Sequence, residues 1–183
     1  ERVAIPLINP INEGLSIMRT TLAASMIHAI VRNHKRGNLE GRLFEMGSIF
    51  VPKALPLTEY PEEQNVLCVG LFGDKESFFT LKGMAETVAD TLCTKFTYER
   101  TTRTFLHPYQ TAAIFCDGEE IGYLGKVSYE IQDSEDMRTA AYIMEINLEK
   151  LTKHFGNVPK FKPLPKFAEE KRDLALVMSK ELT

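Results

Sequence analysis

The stretch RLFEMGSIF, residues 42–50, places an arginine and a glutamate close together among apolar residues. Such a pair could bind a substrate in an active site, or it could hold a sheet together through ion pairs. On a regular strand, successive side chains alternate, so residues three apart point to opposite faces. Arg42 therefore shares a face with Phe44 and Met46, whereas Glu45 lies on the other face. We predict separate structural ion pairs for Arg42 and Glu45 and favour this interpretation over a joint substrate site.

The histidines and cysteines show no spacing typical of a metal site or an activated nucleophile. The sequence contains no HxxxH, HExxH or CxxC motif, and an odd number of cysteines cannot all pair within one chain. We therefore expect reduced, buried thiols, and we predict no catalytic and no metal-ligating residue. The residues concerned are His28, His34, His107, His154, Cys68, Cys93 and Cys116.

Phosphate-binding signals are weak. Neither GxxxxGK[ST] nor GxGxxG occurs, and Gly122 and Gly125 fall in a predicted strand, where we expect close packing or a bulge. The basic run RNHKRG could contact phosphates, but positive charge at a helix C-terminus also stabilises the helix dipole. The candidate phosphate-contacting residues, including those of a basic connector, are Arg32, Lys35, Arg36, Lys160, Lys162 and Lys166.

Composition narrows the class of protein. The chain has 183 residues, 44% of them hydrophobic, and 22 Lys+Arg against 25 Asp+Glu give a net charge of −3. This balance argues against wholesale electrostatic attachment to nucleic acid or an anionic membrane. No apolar run approaches the roughly 20 residues of a membrane span, and no signal-peptide pattern opens the chain. We expect a cytoplasmic protein with no membrane partner.

Helix signals frame residues 16–37. Ser16 is a suitable N-cap residue, and Gly37 is suited to the position after the C-cap. Two apolar rows run along this predicted helix, which predicts that it is covered on two sides. The first row is Met18, Leu22, Met26 and Ile30; the second is Ile17, Ala24, Ile27 and Val31.

The remaining pattern predicts an antiparallel sheet with helices. A strand over about residues 41–51 is followed by an apolar run, Asn65 to Gly73, and we expect the two to be neighbours. A second amphipathic helix follows, with Lys82 and Glu86 at pair spacing. The segment TAAIFCDGEEIGYLGKV predicts a hairpin that turns at Asp-Gly, and AAYIMEINL predicts a further strand that runs into a short helix at about 148–155. Without regular βαβ alternation, this order favours the α+β class.

A change of composition after Gly156 predicts a domain boundary. The connector NVPKFKPLPKF is rich in proline and lysine, and RDLALVM then predicts a strand with no following partner. We expect residues 1–156 to form one domain and residues 157–183 to form a linker and the start of a second. Since the chain opens in the strand-like run VAIPLI, we interpret it as a fragment of a longer polypeptide.

Six blocks together resemble the bacterial-type phenylalanine–tRNA ligase beta subunit family, in that family's order. They are NPINEGLSIMRTTLAASMIHAIVRNHKRG, RLFEMGSIF, FFTLKGMAETVADTL, FLHPYQTAAIF, IGYLGKVSYEI and YIMEINLEKL. The resemblance covers essentially residues 3–183. It implies a fold similar to a class II aminoacyl-tRNA synthetase core for residues 1–156, without catalytic residues. It also implies that residues 157–183 begin a ferredoxin-like anticodon-binding domain.

The same resemblance implies a partner and a division of labour. The family works with an alpha subunit, as two alpha and two beta chains, and the alpha chain activates phenylalanine with ATP and charges tRNA(Phe). ATP and Mg²⁺ are thus implied for the whole enzyme, with no cofactor in this chain. The first apolar row, Met18, Leu22, Met26 and Ile30, becomes the expected subunit interface, and the six basic residues become candidate tRNA contacts.

A difference from class II catalytic sites agrees with the inert core that the resemblance implies. Class II sites use Arg-x-Glu on one strand face, whereas this chain has Arg-x-x-Glu at Arg42 and Glu45. The chain also departs from the beta-subunit family, whose HPGR is HPYQ here, and the replacement of the glycine and arginine by Tyr109 and Gln110 argues against a phosphate role at that turn. Two alternatives stay open: a standalone RNA-binding or scaffold module, whose RNA affinity would fall steeply with salt, and an independent small-molecule ligase.

Overall fold

A computed structural model of the chain describes residues 3–156, 172–175 and 177. The helices are α1 (Ala23–Lys35), α2 (Phe78–Thr91), α3 (Tyr129–Ser134) and α4 (Leu148–Thr152). The strands are β1 (Gly41–Val51), β2 (Glu62–Phe72), β3 (Phe96–Arg100), β4 (Leu106–Cys116), β5 (Glu119–Val127) and β6 (Ala141–Asn147). The predicted linker and second domain at 157–183 lie almost entirely outside the described residues, and they stay a prediction.

The strands form one six-stranded sheet in the order β1-β2-β6-β5-β4-β3, and every neighbouring pair is antiparallel. The predicted pairing of β1 with β2 is confirmed, in register from Gly41 opposite Phe72 to Val51 opposite Glu62. The predicted hairpin is also confirmed. Asp117 and Gly118 connect β4 and β5 with φ angles of 48° and 83°, as a two-residue hairpin turn requires.

Helices cover both faces of the sheet and create two cores. On the face that we call the α1 face, α1 packs over side chains such as Val66, Cys68 and Ile143. On the opposite α2 face, α2 packs over side chains such as Leu71 and Met144. Strand β6 contributes to both cores, which explains its nearly continuous apolar sequence AYIMEIN. The predicted α+β class, with an antiparallel sheet flanked by helices, is confirmed.

The predicted start of the first helix is wrong, although its predicted end is confirmed. Helix α1 begins at Ala23, not at Ser16, because the preceding segment pairs as an extended hairpin. The Leu7 N–H donates to Ser16 O, and the Met18 N–H donates to Ile5 O, both at 2.8 Å. At the other end, Gly37 has φ +88° and donates its N–H to His34 O, as expected of a residue after a C-cap.

A buried glutamate on β6 fixes the start of α1. The side chain of Leu22, at the N-cap position, cannot accept a hydrogen bond, and the Glu145 carboxylate takes over this role. One oxygen of Glu145 lies 2.7 Å from the Leu22 N, 3.2 Å from the Ala23 N and 2.7 Å from the Thr21 Oγ1. An anion is also favoured at the positive end of the helix dipole. Glu145 therefore joins the N-terminus of α1 to the centre of the sheet.

The four residues expected at a subunit interface need a correction. Leu22, Met26 and Ile30 lie in the core under α1, where the domain's own sheet covers them. Met18 precedes the helix and is half-buried in the short hairpin. Leu22, Met26 and Ile30 are therefore core residues of the domain and are not exposed for a partner to contact. The second apolar row is also used internally, since Ile27 and Val31 belong to the same core.

Gly122 on β5 permits a close approach to the backbone of the neighbouring strand β6. A Cβ placed there would lie 2.2 Å from the backbone oxygen of Glu145 and 2.9 Å from the Cα of Ile146. Gly125 is similarly restricted, with Thr111 Oγ1 at 2.8 Å from such a Cβ. A register shift also lies between Ile114 and Phe115 in the β4–β5 pair. The expected close packing at these glycines is confirmed.

We predict that Glu145→Gln lowers the free energy of unfolding by about 1–3 kcal/mol, because buried N–H donors lose a charged acceptor. The urea midpoint of unfolding, followed by circular dichroism, measures this change. Glu63→Gln on β2 is the matched control, since Glu63 is exposed, and we expect an unchanged midpoint. Equal midpoints for Glu145→Gln and the unsubstituted chain would contradict the capping role.

Two glycine substitutions should act with opposite signs. Gly122→Ala should destabilise the domain by about 1–3 kcal/mol, because the surrounding atoms are backbone and cannot move aside cheaply. Gly83→Ala in α2 should stabilise it by about 0.5–1 kcal/mol, because nothing lies within 4 Å of the added Cβ and alanine favours helix. Thermal unfolding of both variants measures the difference, and a shift of the same sign would contradict the packing described for β5 and β6.

Candidate functional site

The structure separates the two residues that first suggested an active site. Arg42 donates to both carboxylate oxygens of Glu76, at 2.7 and 3.3 Å, while Glu45 pairs with Arg19 at 2.8 Å. The hydrogen bond to Glu76 and the negative charge of this carboxylate raise the pKa of Arg42. The predicted structural ion pairs are confirmed. Neither Arg42 nor Glu45 contacts the other, and both bind residues outside β1.

A cleft of about 370 Å³ lies against the sheet between the ends of β1, β2, β5 and β6. Its charged lining residues are Arg103, Glu120, Glu145 and Lys150, two basic and two acidic side chains. Arg103 pairs with Glu120 at 2.9 Å, and its guanidinium carbon lies 4.8 Å from the centre of the Tyr123 ring. These charges balance, so the cleft offers no excess positive charge for a polyphosphate.

The other polar groups of the cleft are also engaged. Asn147 donates to Gln64 at 3.0 Å, Lys150 donates to the Glu120 backbone oxygen at 2.8 Å, and Glu145 caps α1. No serine, cysteine or histidine lines the cleft, so its described lining contains no nucleophile of these types. The carboxylates and the lysine of the cleft, Glu120, Glu145 and Lys150, each make an ion pair or hydrogen bond within the domain.

The candidate tRNA-contacting residues fall into two sets. Arg32, Lys35 and Arg36 lie exposed at the C-terminal end of α1, as the sequence predicted. Lys35 pairs with Glu135 at 2.7 Å, and this contact lowers the pKa of the Glu135 carboxyl. Lys160, Lys162 and Lys166 lie outside the described residues. Half of the predicted set therefore forms a small exposed basic end of α1.

All three cysteines are free thiols. Cys68 and Cys116 are buried, and Cys93 is half-buried, which agrees with the expected reduced state and largely with the expected burial. Burial, together with the negative charge of Glu145 and Glu45, raises the pKa of the Cys68 thiol. Cys68 is therefore a core residue with little tendency to form a reactive thiolate.

Five exposed aliphatic side chains lie close together in sequence on the hairpin segment before α1, which contains a short 3-10 helix at Glu13–Leu15, and sequence reasoning missed them. We call them the N-terminal apolar surface: Val3, Leu7, Ile8, Ile11 and Ile17. Ile8 is 94% exposed and Ile11 is 92% exposed. The wrong helix start hid this feature, because a helix from Ser16 placed Ile17 in an apolar row. Clustered exposed apolar residues of this kind are typical of interaction sites.

A second, smaller apolar exposure lies on β1, where Phe44 and Met46 are 74% and 63% exposed on the α2 face. Their alternation with Leu43 and Glu45 confirms the predicted faces of this strand. Strand β1 is an edge strand, and in the described part of the chain no helix covers its α2 face at Phe44 and Met46.

Among the described residues, no helix combines the length and the apolar composition that crossing a bilayer requires.

The sequence of this domain matches a known protein family. The family model described as "Phenylalanyl tRNA synthetase beta chain CLM domain" matches residues 1–148. The chain belongs to this family. Its relatives include proteins called phenylalanine–tRNA ligase beta subunit from Clostridium tetani, 38% identical over 99% of this chain, and from Thermotoga maritima, 30% identical over 98%. The chain spans about a quarter of the length of these relatives, 23% and 24%.

A solved structure confirms the architecture of this beta-chain domain. The domain is similar to PylSc, a pyrrolysyl tRNA synthetase from Desulfitobacterium hafniense, with a TM-score of 0.59 over 79% of this chain and 51% of that chain. The two sequences are only 16% identical, so this likeness concerns the fold alone. The expected class II synthetase-like sheet is thereby confirmed for the described residues.

We predict that the isolated chain does not catalyse phenylalanine-dependent exchange of pyrophosphate into ATP, because its cleft has balanced charges and engaged polar groups. Radioactive pyrophosphate exchange is the measurement, with a complete two-subunit ligase from a relative as the positive control. Saturable exchange by the isolated chain that disappears in Arg103→Ala would contradict this account of the cleft.

Proposed function

We propose that this domain works as a non-catalytic part of a phenylalanine–tRNA ligase and supports ATP-dependent charging of tRNA(Phe) by binding the alpha subunit. The observation that carries the proposal is the N-terminal apolar surface. Its five aliphatic side chains lie within 15 consecutive residues, 3–17, and the two most exposed have almost their full surface in water. Removing this surface from water supplies a direct driving force for association.

Backbone hydrogen bonds and one buried side chain fix the position of the segment that carries the N-terminal apolar surface. The two backbone hydrogen bonds between residues 5–7 and 16–18 fix the hairpin, and Ile5 anchors it in the interior. Arg19 then fastens the following residues to β1, since its side chain donates to Ser48 O at 2.7 Å and its carbonyl accepts from the Phe50 N–H at 2.9 Å. A surface fixed in this way loses less conformational freedom on binding than a free tail would.

The names of the relatives support the identity of the partner. They are called beta subunits, a name that implies a second kind of subunit in the same complex. In this proposal the alpha subunit carries the chemistry, and ATP and Mg²⁺ belong to the whole enzyme of two alpha and two beta chains in the cytoplasm. The balanced cleft supports this division, because its four charged side chains, Arg103, Glu120, Glu145 and Lys150, all make contacts within the domain.

The alternative of a standalone RNA-binding module has less support. Lys35 is already engaged by Glu135, and the three connector lysines lie outside the described residues. The exposed end of α1 then offers Arg32 and Arg36 as the clearest cationic groups of the predicted set. Two such charges supply only a small part of the phosphate neutralisation that nucleic-acid binding uses.

The double variant Ile8→Glu/Ile11→Glu should weaken association with the alpha subunit at least about tenfold. Burying an isoleucine side chain contributes roughly 1.5–3 kcal/mol, and a carboxylate in its place resists desolvation. Sedimentation velocity and isothermal titration calorimetry with the alpha subunit of a relative measure the change. Since both side chains are almost wholly exposed, the domain should keep its unfolding midpoint.

Leu39→Glu is the matched control for this experiment. Leu39 is also an exposed aliphatic residue, 59% in water, but it precedes β1 at the end of the strand remote from Phe50 and the hairpin. We expect Leu39→Glu to bind like the unsubstituted chain. Equal loss of binding in the control and the double variant, or no loss in either, would contradict docking through the N-terminal apolar surface.

A further inference from the structure

The β4–β5 turn and the residues after α4 bring three metal-binding side chains together. The nearest candidate ligand atoms of Cys116, Asp117 and His154 all lie within 4.8 Å of one another. Cys116 ends β4 and Asp117 opens the turn, whereas His154 follows α4 and is separated from them by more than 35 residues. No spacing motif can show such a group, which explains why the sequence predicted no metal ligand.

The imidazole of His154 lies between two carboxylates. Its Nε2 lies 3.0 Å from a carboxylate oxygen of Glu119, and its Nδ1 lies 3.3 Å from a carboxylate oxygen of Asp117. Because Glu119 contacts Nε2, the other ring nitrogen, Nδ1, faces the group that Asp117 and Cys116 form with it.

Cys116 adds a sulfur ligand atom to this group. Its Sγ is buried beside these groups and lies 3.0 Å from the Thr94 hydroxyl, which can donate a hydrogen bond to a thiolate. Thiolate, imidazole and carboxylate together form a donor set that favours zinc-like ions over magnesium or calcium.

We propose that Cys116, Asp117 and His154 bind a divalent transition-metal ion of the zinc type, with a water molecule as the fourth ligand. Nitrogen and oxygen ligands at about 2.0–2.2 Å from a tetrahedral ion lie about 3.3 Å apart, which agrees with the 3.3 Å between His154 and Asp117. Glu119 orients the ring of His154 through Nε2, as carboxylates behind histidine ligands commonly do.

The surroundings fit this assignment. Lys150 lies 3.7 Å from the other side of the Glu119 carboxylate, so Glu119 is already shared between a lysine and the imidazole and serves as an orienting group. The side chain of Asp117 is 73% exposed, which leaves an entry path from solvent. Gly156 follows two residues after His154 and donates its N–H to Leu92 O at 3.0 Å. The bound ion therefore ties this end of the domain to the β4–β5 turn.

Titration of the 183-residue chain with Co²⁺ under reducing conditions tests the proposal. We expect one equivalent to bind with tetrahedral d–d absorption and a thiolate-to-metal charge-transfer band, and Zn²⁺ should displace it. Cys116→Ala should abolish the charge-transfer band, and Asp117→Asn should weaken binding at least about tenfold. Glu119→Gln should weaken binding by about tenfold to a hundredfold through loss of the orienting contact.

Matched controls separate this site from adventitious binding. Cys93→Ser removes the neighbouring thiol and His28→Gln removes an exposed imidazole, and neither should change the affinity or the spectrum. Asp117 is exposed, so Asp117→Asn reports on binding even if Cys116→Ala fails to fold. Absence of saturable binding would overturn the proposal. A charge-transfer band that persists in Cys116→Ala, or that disappears in Cys93→Ser, would overturn it as well.

Discussion

The carboxylate of Glu145 is the interaction on which the described structure depends. It lies in β6, the strand that belongs to both cores, and accepts the first N–H groups of α1. By fixing the start of α1 at Ala23, it sets which residues of that helix enter the core. The preceding segment lies outside this helix and forms a hairpin that contains a short 3-10 helix, Glu13–Leu15. Glu145 thus lies at the boundary between the helix that covers the core and the hairpin that carries the N-terminal apolar surface.

The domain keeps the sheet of a class II synthetase while its polar groups serve the structure. Glu145 caps a helix, Arg103 pairs with Glu120, and Arg42 pairs with Glu76. A catalytic site needs groups whose hydrogen-bonding and charge remain available to a substrate. Here Glu145, Arg103 and Arg42 each contact other groups of the domain, while large aliphatic side chains remain in water. This distribution supports the proposed docking role of the domain, which belongs to the beta-chain family.

Local patterns predicted those parts of the fold that depend on neighbours in sequence. The bounds of β1, the alternation of Arg42 and Glu45, the Asp117–Gly118 turn and helix α2 all follow from period and turn chemistry. The start of α1 could not be predicted in this way, because its cap comes from Glu145, more than 120 residues away. Strand β3 and helix α3 are short and were not predicted. The group of Cys116, Asp117 and His154 also forms only when segments distant in sequence meet.

Hydrogen–deuterium exchange of the chain, alone and with the alpha subunit, tests the central claim most directly. The account predicts that the amides of Leu22 and Ala23 exchange slowly in both states, because Glu145 holds them in the free domain. It predicts that residues 3–18 gain protection when the alpha subunit binds, whereas the cleft around Arg103 does not. Protection confined to the cleft, with residues 3–18 unchanged, would contradict the claim that this domain acts by docking through its N-terminal apolar surface.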